Sequence, residues 1–257
     1  MNPGFSEALI LAGQAEKVAE RVKHIDIVIC PPFPFIYPIF DSLKARPKNF
    51  TLGIQNVMWA HEGEFTGEVS LDMFRGVAKY FIIGHSERRQ NFSESDIMIS
   101  KKVKFVLANR LKVIVCVGER ERLDLEDDFN RELKKMRGEG GILDQVDKAF
   151  VKVDKSFLAN AVVAYEPLWA IGTGNASSGA YAAAVCYAIR EHLKQKFGEV
   201  AQETRIIYGG SVYPSNVREF MTQPSIDGLL VGGSSLKAAE FSKICQISVE
   251  VKSGRSI

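Results

Sequence analysis

Short apolar runs recur along this chain, each closed by a glycine, a proline or a charged residue and each followed by a stretch with helical spacing. Residues 26–30 stop at Pro31-Pro32, and 51–56 open into a long loop carrying Trp59, Gly63 and Gly67. Residues 80–83 end in Gly84-His85-Ser86-Glu87, 112–117 in Gly118-Glu119, and 161–165 at Glu166. Residues 205–208 end in Gly209-Gly210-Ser211 and 228–231 in Gly232-Gly233. Runs this short and this continuous predict strands buried on both faces, which belong in parallel sheets. The stretches between them predict helices over 34–45, 70–77, 94–109, 179–197, 215–222 and 236–247, and one or two helices over 121–157 broken at Gly138-Glu139-Gly140-Gly141. Ahead of the first run, Ser6 can cap a helix to about Lys23, with Ala8, Leu11, Ala15, Val18 and Val22 on one face. A strand over 8–12 is the alternative, but the apolar spacing continues across Gly13 and favours the helix. Repeated βα units give an α/β fold: a (β/α) barrel if they close on themselves, an open doubly wound sheet if they do not. No linker interrupts the pattern, so residues 1–257 are expected to form a single domain, with a frayed tail over 248–257.

Charge and cysteine usage narrow the function classes. With 33 basic and 31 acidic residues the net charge is only +2, which points to neither nucleic acid nor a membrane surface as partner. The basic run Lys101-Lys102-Val103-Lys104 reads as a solvated helix face. Cys30, Cys116, Cys186 and Cys245 form no Cys-x-x-Cys pair and have no histidine at ligand spacing, so a zinc site is not expected. Cys30 and Cys116 lie in apolar runs and read as reduced core residues. No apolar stretch reaches the ~18 residues of a membrane span, and the first residues lack a secretory signal. A reducing, cytoplasmic location fits.

The chemistry concentrates where the runs end. In a parallel barrel the C-terminal strand ends share one face, and catalysis happens there. Glu166 closes one run and is followed by Pro167-Leu168-Trp169-Ala170-Ile171-Gly172-Thr173-Gly174, a loop with stiff ends and a Gly-x-Gly tip. A carboxylate under a loop that can close is the outline of a general base; the plain reading is a strand and an ordinary turn. His85 sits between a strand and a helix start, where the helix N-terminus disfavours the cation and a neutral imidazole can donate a hydrogen bond; alone, such a histidine is more often structural. The glycine pairs after the last two runs suit an anion such as phosphate, because backbone N–H groups can approach it closely. A single Gly-Gly would be only a tight turn. Together these features suggest proton transfer next to the carbonyl of a phosphate ester.

Several motifs resemble one family closely, the triosephosphate isomerases. They are Ile83-Gly84-His85-Ser86-Glu87-Arg88-Arg89, Val115-Cys116-Val117-Gly118-Glu119, the stretch from Ala164 to Gly174, Ile207-Tyr208-Gly209-Gly210-Ser211-Val212, and Leu230-Val231-Gly232-Gly233-Ser234-Ser235-Leu236. Phe65-Thr66-Gly67-Glu68 matches the family's dimer loop, and the resemblance covers about residues 1 to 247. It implies a (β/α)8 TIM barrel that interconverts dihydroxyacetone phosphate and glyceraldehyde 3-phosphate, in glycolysis and gluconeogenesis. Glu166 would move the proton between the two carbons, and His85 would polarise the carbonyl. Gly172, Ser211, Gly232 and Gly233 would hold the phosphate through backbone N–H groups. The lid would keep water from the enediolate. No metal or cofactor is implied. Loop 57–69 would dock into a second subunit of a homodimer.

Two departures shape further expectations. The family's first strand ends in Asn-x-Lys shortly before a Met-Asn, and these residues begin at a Met-Asn, so that strand and its lysine fall outside them. The expectation is a native start further upstream. Without the lysine, activity should fall by about 10²–10³-fold, and Glu87, its expected partner, should be a buried unpaired carboxylate. Asn175-Ala176-Ser177 replaces the more usual Lys-Thr-Ala at the second lid hinge. A reading from another class is a non-catalytic phosphate-ester-binding barrel or an inactive paralogue.

Overall fold

The computed structural model describes residues 1–125, 129–170 and 176–253. Its sheet has seven parallel strands in sequential order: β1 (Ile27–Ile29), β2 (Phe50–Ile54), β3 (Ala78–Ile83), β4 (Lys112–Val117), β5 (Ala161–Tyr165), β6 (Arg205–Tyr208) and β7 (Gly228–Leu229). The helices are α1 (Phe5–Arg21), α2 (Ile36–Ser42), α3 (Ser86–Asn91), α4 (Asp96–Ala108), α5 (Phe129–Arg137), α6 (Ile142–Ala149), α7 (Gly179–Phe197), α8 (Val217–Met221) and α9 (Ala238–Ser253). Short 3-10 turns cover Leu71–Phe74 and Leu168–Ala170, where the sequence predicts a helix and a lid.

Each strand pairs only with its sequence neighbours, as right-handed βα units wound in one direction require. The sheet curls in the manner of a (β/α) barrel, with β1 and β7 at its two ends. Along β3, β4 and β5 the register aligns Ile82 with Ile114 and Ile114 with Val162. These side chains, with Tyr80, Cys116 and Ala164, fill the concave interior. The alternate residues Phe81, Ile83, Val113, Val115 and Val163 pack outward against the helices. Burial on both faces is what the unbroken apolar runs encode. At the lower end Arg205 reaches Asp26 at 2.6 Å, tying the start of β6 to the start of β1.

Four expectations need correction. Ser6 does not cap α1: Gly4 is the N-cap, its carbonyl accepting from the Ala8 N–H, and Ser6 lies within the first turn. The end of the chain is not frayed over 248–253, because α9 continues to Ser253. Ser248 and Val249 are buried there, and Lys252 donates to the Ile226 carbonyl at 2.8 Å. Lys102 is not on a solvated face; it is 1 % exposed, donating to Asn56 Oδ1 at 2.7 Å and paired with Glu94. Glu87 is exposed to the cavity rather than buried. Cys116 is buried as expected whereas Cys30 is only partly so, and all four cysteines are free. Among the described residues, no helix is long and apolar enough to cross a membrane.

Candidate active site

Two sharp backbone features bring His85 and Glu166 together. Gly84 has φ +72°, a conformation open to glycine at little cost, and it turns the chain from β3 straight into α3. His85 is the N-cap of α3; its Nδ1 accepts from the Glu87 N–H at 3.4 Å, leaving Nε2 as the donor. Nε2 lies 3.0 Å from Glu166 Oε1. The other oxygen of Glu166 accepts from the Ser86 N–H at 3.0 Å. The carboxylate is 2 % exposed while the imidazole is 31 % exposed and faces the cavity.

Glu166 itself follows β5. Its N–H donates to the Val117 carbonyl, continuing the β4–β5 ladder one residue past the strand. Burial alone would lower the pKa of His85, but the hydrogen bond and charge of Glu166 outweigh it and the net direction is upward. The helix start therefore does not settle a neutral imidazole by itself: the facing carboxylate pulls toward the cation while the Glu87 N–H holds a neutral tautomer. Beside the pair, burial and the Glu166 charge raise the Cys116 thiol well above its ordinary range and keep it protonated.

Glu119, at the end of β4, organises the turn Leu168–Ala170. One oxygen accepts from Tyr165 Oη at 2.7 Å, Trp169 Nε1 at 2.7 Å and Tyr181 Oη at 3.0 Å. Its backbone carbonyl accepts from the Leu168 N–H at 3.0 Å. Burial raises the Glu119 pKa and the three donors oppose it, with a net upward shift. Trp169 stacks edge-on against Tyr181 at 5.4 Å. Sequence reading noticed Glu119 as a strand-end residue but not its three partners, which come from β5, the lid and α7.

The remaining expected residues are placed as follows. Ser211 Oγ donates to the Ala170 carbonyl at 3.1 Å, linking the β6 end to the turn Leu168–Ala170. Gly232 and Gly233 open the short turn Gly233–Leu236 after β7, and a methyl group at either would meet no atom within 4 Å. Gly172 and the hinge residue Asn175 lie outside the described residues. His85, Glu166, Ser211, Gly232 and Gly233 all line one cavity, which also extends down the barrel to Asp26 and Arg205. A buried carboxylate, an imidazole donor and open backbone at two strand ends can move a proton beside a carbonyl and hold an anion.

A second cluster, absent from the sequence reading, supports loop 57–69. Glu94 pairs with buried Lys102 and with Arg88 at 3.4 Å; Arg88 also lies 4.0 Å from Glu68. Asn56 donates to Glu68 at 3.0 Å. The loop tip presents Phe65, and Phe92 beside Arg88 is likewise exposed.

Comparison with known proteins gives a consistent result. The family model described as triosephosphate isomerase matches residues 1–248. The chain is similar to the triosephosphate isomerase of Alkaliphilus oremlandii, with 40% identity over 94% of this chain and 93% of the relative. That of Carboxydothermus hydrogenoformans is 43% identical over 89% of this chain and 87% of its own length. That of Dictyoglomus turgidum is 44% identical over 88% and 87%.

Proposed function

The chain belongs to the triosephosphate isomerase family, and on that footing we propose how its residues divide the work. The reaction is aldose–ketose isomerisation, the interconversion of dihydroxyacetone phosphate and glyceraldehyde 3-phosphate. Glu166 takes the proton from the carbon beside the carbonyl and returns it to the neighbouring carbon. His85 donates from Nε2 to the carbonyl oxygen, where negative charge develops. For substrate to enter between them, the Glu166 side chain turns away from His85 while its backbone stays fixed to Val117. The N–H groups of Gly172, Ser211, Gly232 and Gly233 receive the phosphate.

The contact between His85 Nε2 and Glu166 Oε1, at the barrel face where such chemistry occurs, is the observation that carries this assignment. The test is turnover of dihydroxyacetone phosphate by the protein and by Glu166→Gln. Loss of the general base should lower kcat by about 10²–10⁴-fold with little change in KM. Undiminished turnover in the variant would remove Glu166 from the role. No observation favours the non-catalytic phosphate-ester-binding alternative, since acid and base partners are both in place.

Three further assignments belong to the same proposal. Residues 1–257 form a single barrel domain, supported by one continuous sheet. The protein works as a homodimer through loop 57–69, supported by exposed Phe65 and Phe92 and by the ion pairs that brace the loop from behind. Its place is the cytoplasm, supported by its reduced cysteines and by the reaction it carries out.

A further inference from the structure

One side chain grips the backbone behind both His85 and Glu166. Arg89 lies in α3, and helical side chains lean back toward the start of their helix. Its Nε donates to the Gly84 carbonyl at 2.8 Å. Its Nη2 donates to the Cys116 carbonyl at 3.2 Å, and its Nη1 to Asp96 Oδ1 in the first turn of α4 at 2.7 Å. Gly84 leaves the room for this: a methyl group there would come within 3.2 Å of Nη2 and 2.9 Å of Ile99 Cδ1.

Both carbonyls stand where the β3–β4 ladder stops. The register ends at Ile83 and Val115, because the chain turns away at Gly84. Cys116 is the next residue along β4, and Arg89 gives its carbonyl the donor that β3 no longer offers. The following carbonyl, that of Val117, accepts from the Glu166 N–H. The Gly84 carbonyl belongs to the peptide that carries His85. One guanidinium therefore fixes the peptide before His85 and the strand end to which the Glu166 backbone is bonded. Arginine suits the task because its donors form a rigid planar fork, whereas a lysine ammonium is a compact point charge without that span.

We propose that Arg89 is a positioning residue of the isomerisation: by bonding the Gly84 and Cys116 carbonyls with one rigid group, it sets the distance between the His85 imidazole and the Glu166 carboxylate. The proposal rests on the catalytic assignment of that pair. Arg89 does not line the cavity and acts only through the two carbonyls. If it served only as the counter-charge of Asp96, another cation would do. Lys148 already faces that carboxylate, 3.5 Å from Oδ2.

The experiment compares Arg89→Lys, which keeps a charge beside Asp96, with Lys148→Met, which removes a partner of Asp96 but leaves both carbonyls bonded. Two readouts are taken on the full chain. The first is kcat and KM for dihydroxyacetone phosphate. The second needs no turnover: it is the His85 Nε2–H proton resonance in protein labelled at its histidine ring nitrogens, assigned by its loss in His85→Gln. Such a proton is visible only while a hydrogen bond shields it from exchange with water. Arg89→Lys should lower kcat by about 10²-fold, the cost of a misplacement of about 1 Å, with KM little changed. It should also broaden the Nε2–H signal beyond detection. Lys148→Met should leave both readouts as they are. Asp96→Asn, which weakens the hold on Nη1 at a partly exposed site, gives the same pattern in weaker form and decides the matter if Arg89→Lys does not fold. Unchanged kcat, a rise in KM alone, an intact Nε2–H signal, or an equal loss in Lys148→Met would each overturn the proposal. Failure of the catalytic assignment looks different: Glu166→Gln would turn over substrate undiminished while Arg89→Lys still lost the Nε2–H signal.

Discussion

The backbone of Glu166 lies directly against Gly118: a methyl group added at Gly118 would come within 1.8 Å of the Glu166 carbonyl oxygen. The carboxylate is thus held through its own peptide, wedged between the ends of β4 and β6, where Gly209 leaves its Cγ similar room. Gly118→Ala must push the Glu166 peptide outward. A misplacement of about 1 Å at a reacting group can cost about 10²-fold in rate, and overpacking costs about 1–3 kcal/mol. We expect both, measured as kcat and as the urea midpoint of unfolding, and unchanged kcat would show that the wedge is not needed.

The His85–Glu166 pair makes stability depend on pH. The His85 pKa is raised above its ordinary 6.5 in the folded protein. Its protonated form is therefore favoured by folding, and the contribution is complete below about pH 6.5. It declines as pH climbs through the raised folded value and is gone above it. Urea unfolding of the protein and of His85→Gln between pH 5.5 and pH 9 (about the window that brackets 6.5) should give a stability difference that shrinks with rising pH. A constant difference would show that the pair does not bias the imidazole.

Lys102 and Glu94 are both shielded from water, with Arg88 at the second oxygen of Glu94. Removing one partner of a buried pair typically costs about 3–5 kcal/mol. Lys102→Met should lose stability on that scale, and adding Glu94→Leu should restore part of it. If the double variant is no better than the single one, the loss comes from packing rather than unpaired charge.

Glu119 gathers three donors on one oxygen, and its other oxygen has no hydrogen-bond partner among the described residues. Each buried donor left unsatisfied costs about 1–3 kcal/mol. Glu119→Leu should therefore unfold at a lower denaturant concentration than Glu119→Gln, which keeps an acceptor. Trp59 and Trp169 are the two tryptophans, so in a Trp59→Phe background the fluorescence of Trp169 should shift in Glu119→Leu. An unchanged spectrum would argue that Tyr165 and Tyr181 alone fix the lid base.

Much of the architecture is legible in the sequence because it is local. The runs 112–117, 161–165 and 205–208 and the helix 179–197 have the observed bounds. Each is apolar enough, or spaced regularly enough, that its conformation is fixed by its own pattern. The positions of His85 and Glu166 at strand ends are legible for the same reason. Where a neighbour from elsewhere competes, the reading fails. Ser6 is a good cap by type, but the chain enters α1 from Gly4, so the cap position falls two residues earlier. Lys102 sits in a basic run, and its burial is balanced by Glu94, just ahead of α4, and by Asn56, which the fold brings in from the end of β2.

What the chain determines by itself is a series of βα units, the identity of the groups at their C-terminal ends, and the glycines that let those groups approach. These follow from side-chain period and backbone freedom, which act over a few residues. Tertiary structure decided which oxygen of Glu166 meets His85 and which meets Ser86, that Glu119 serves three aromatic donors at once, and that α9 runs on to Ser253. The reason is physical: hydrogen-bond partners, burial and charge compensation depend on residues distant along the chain, and their distances are set only when the sheet curls.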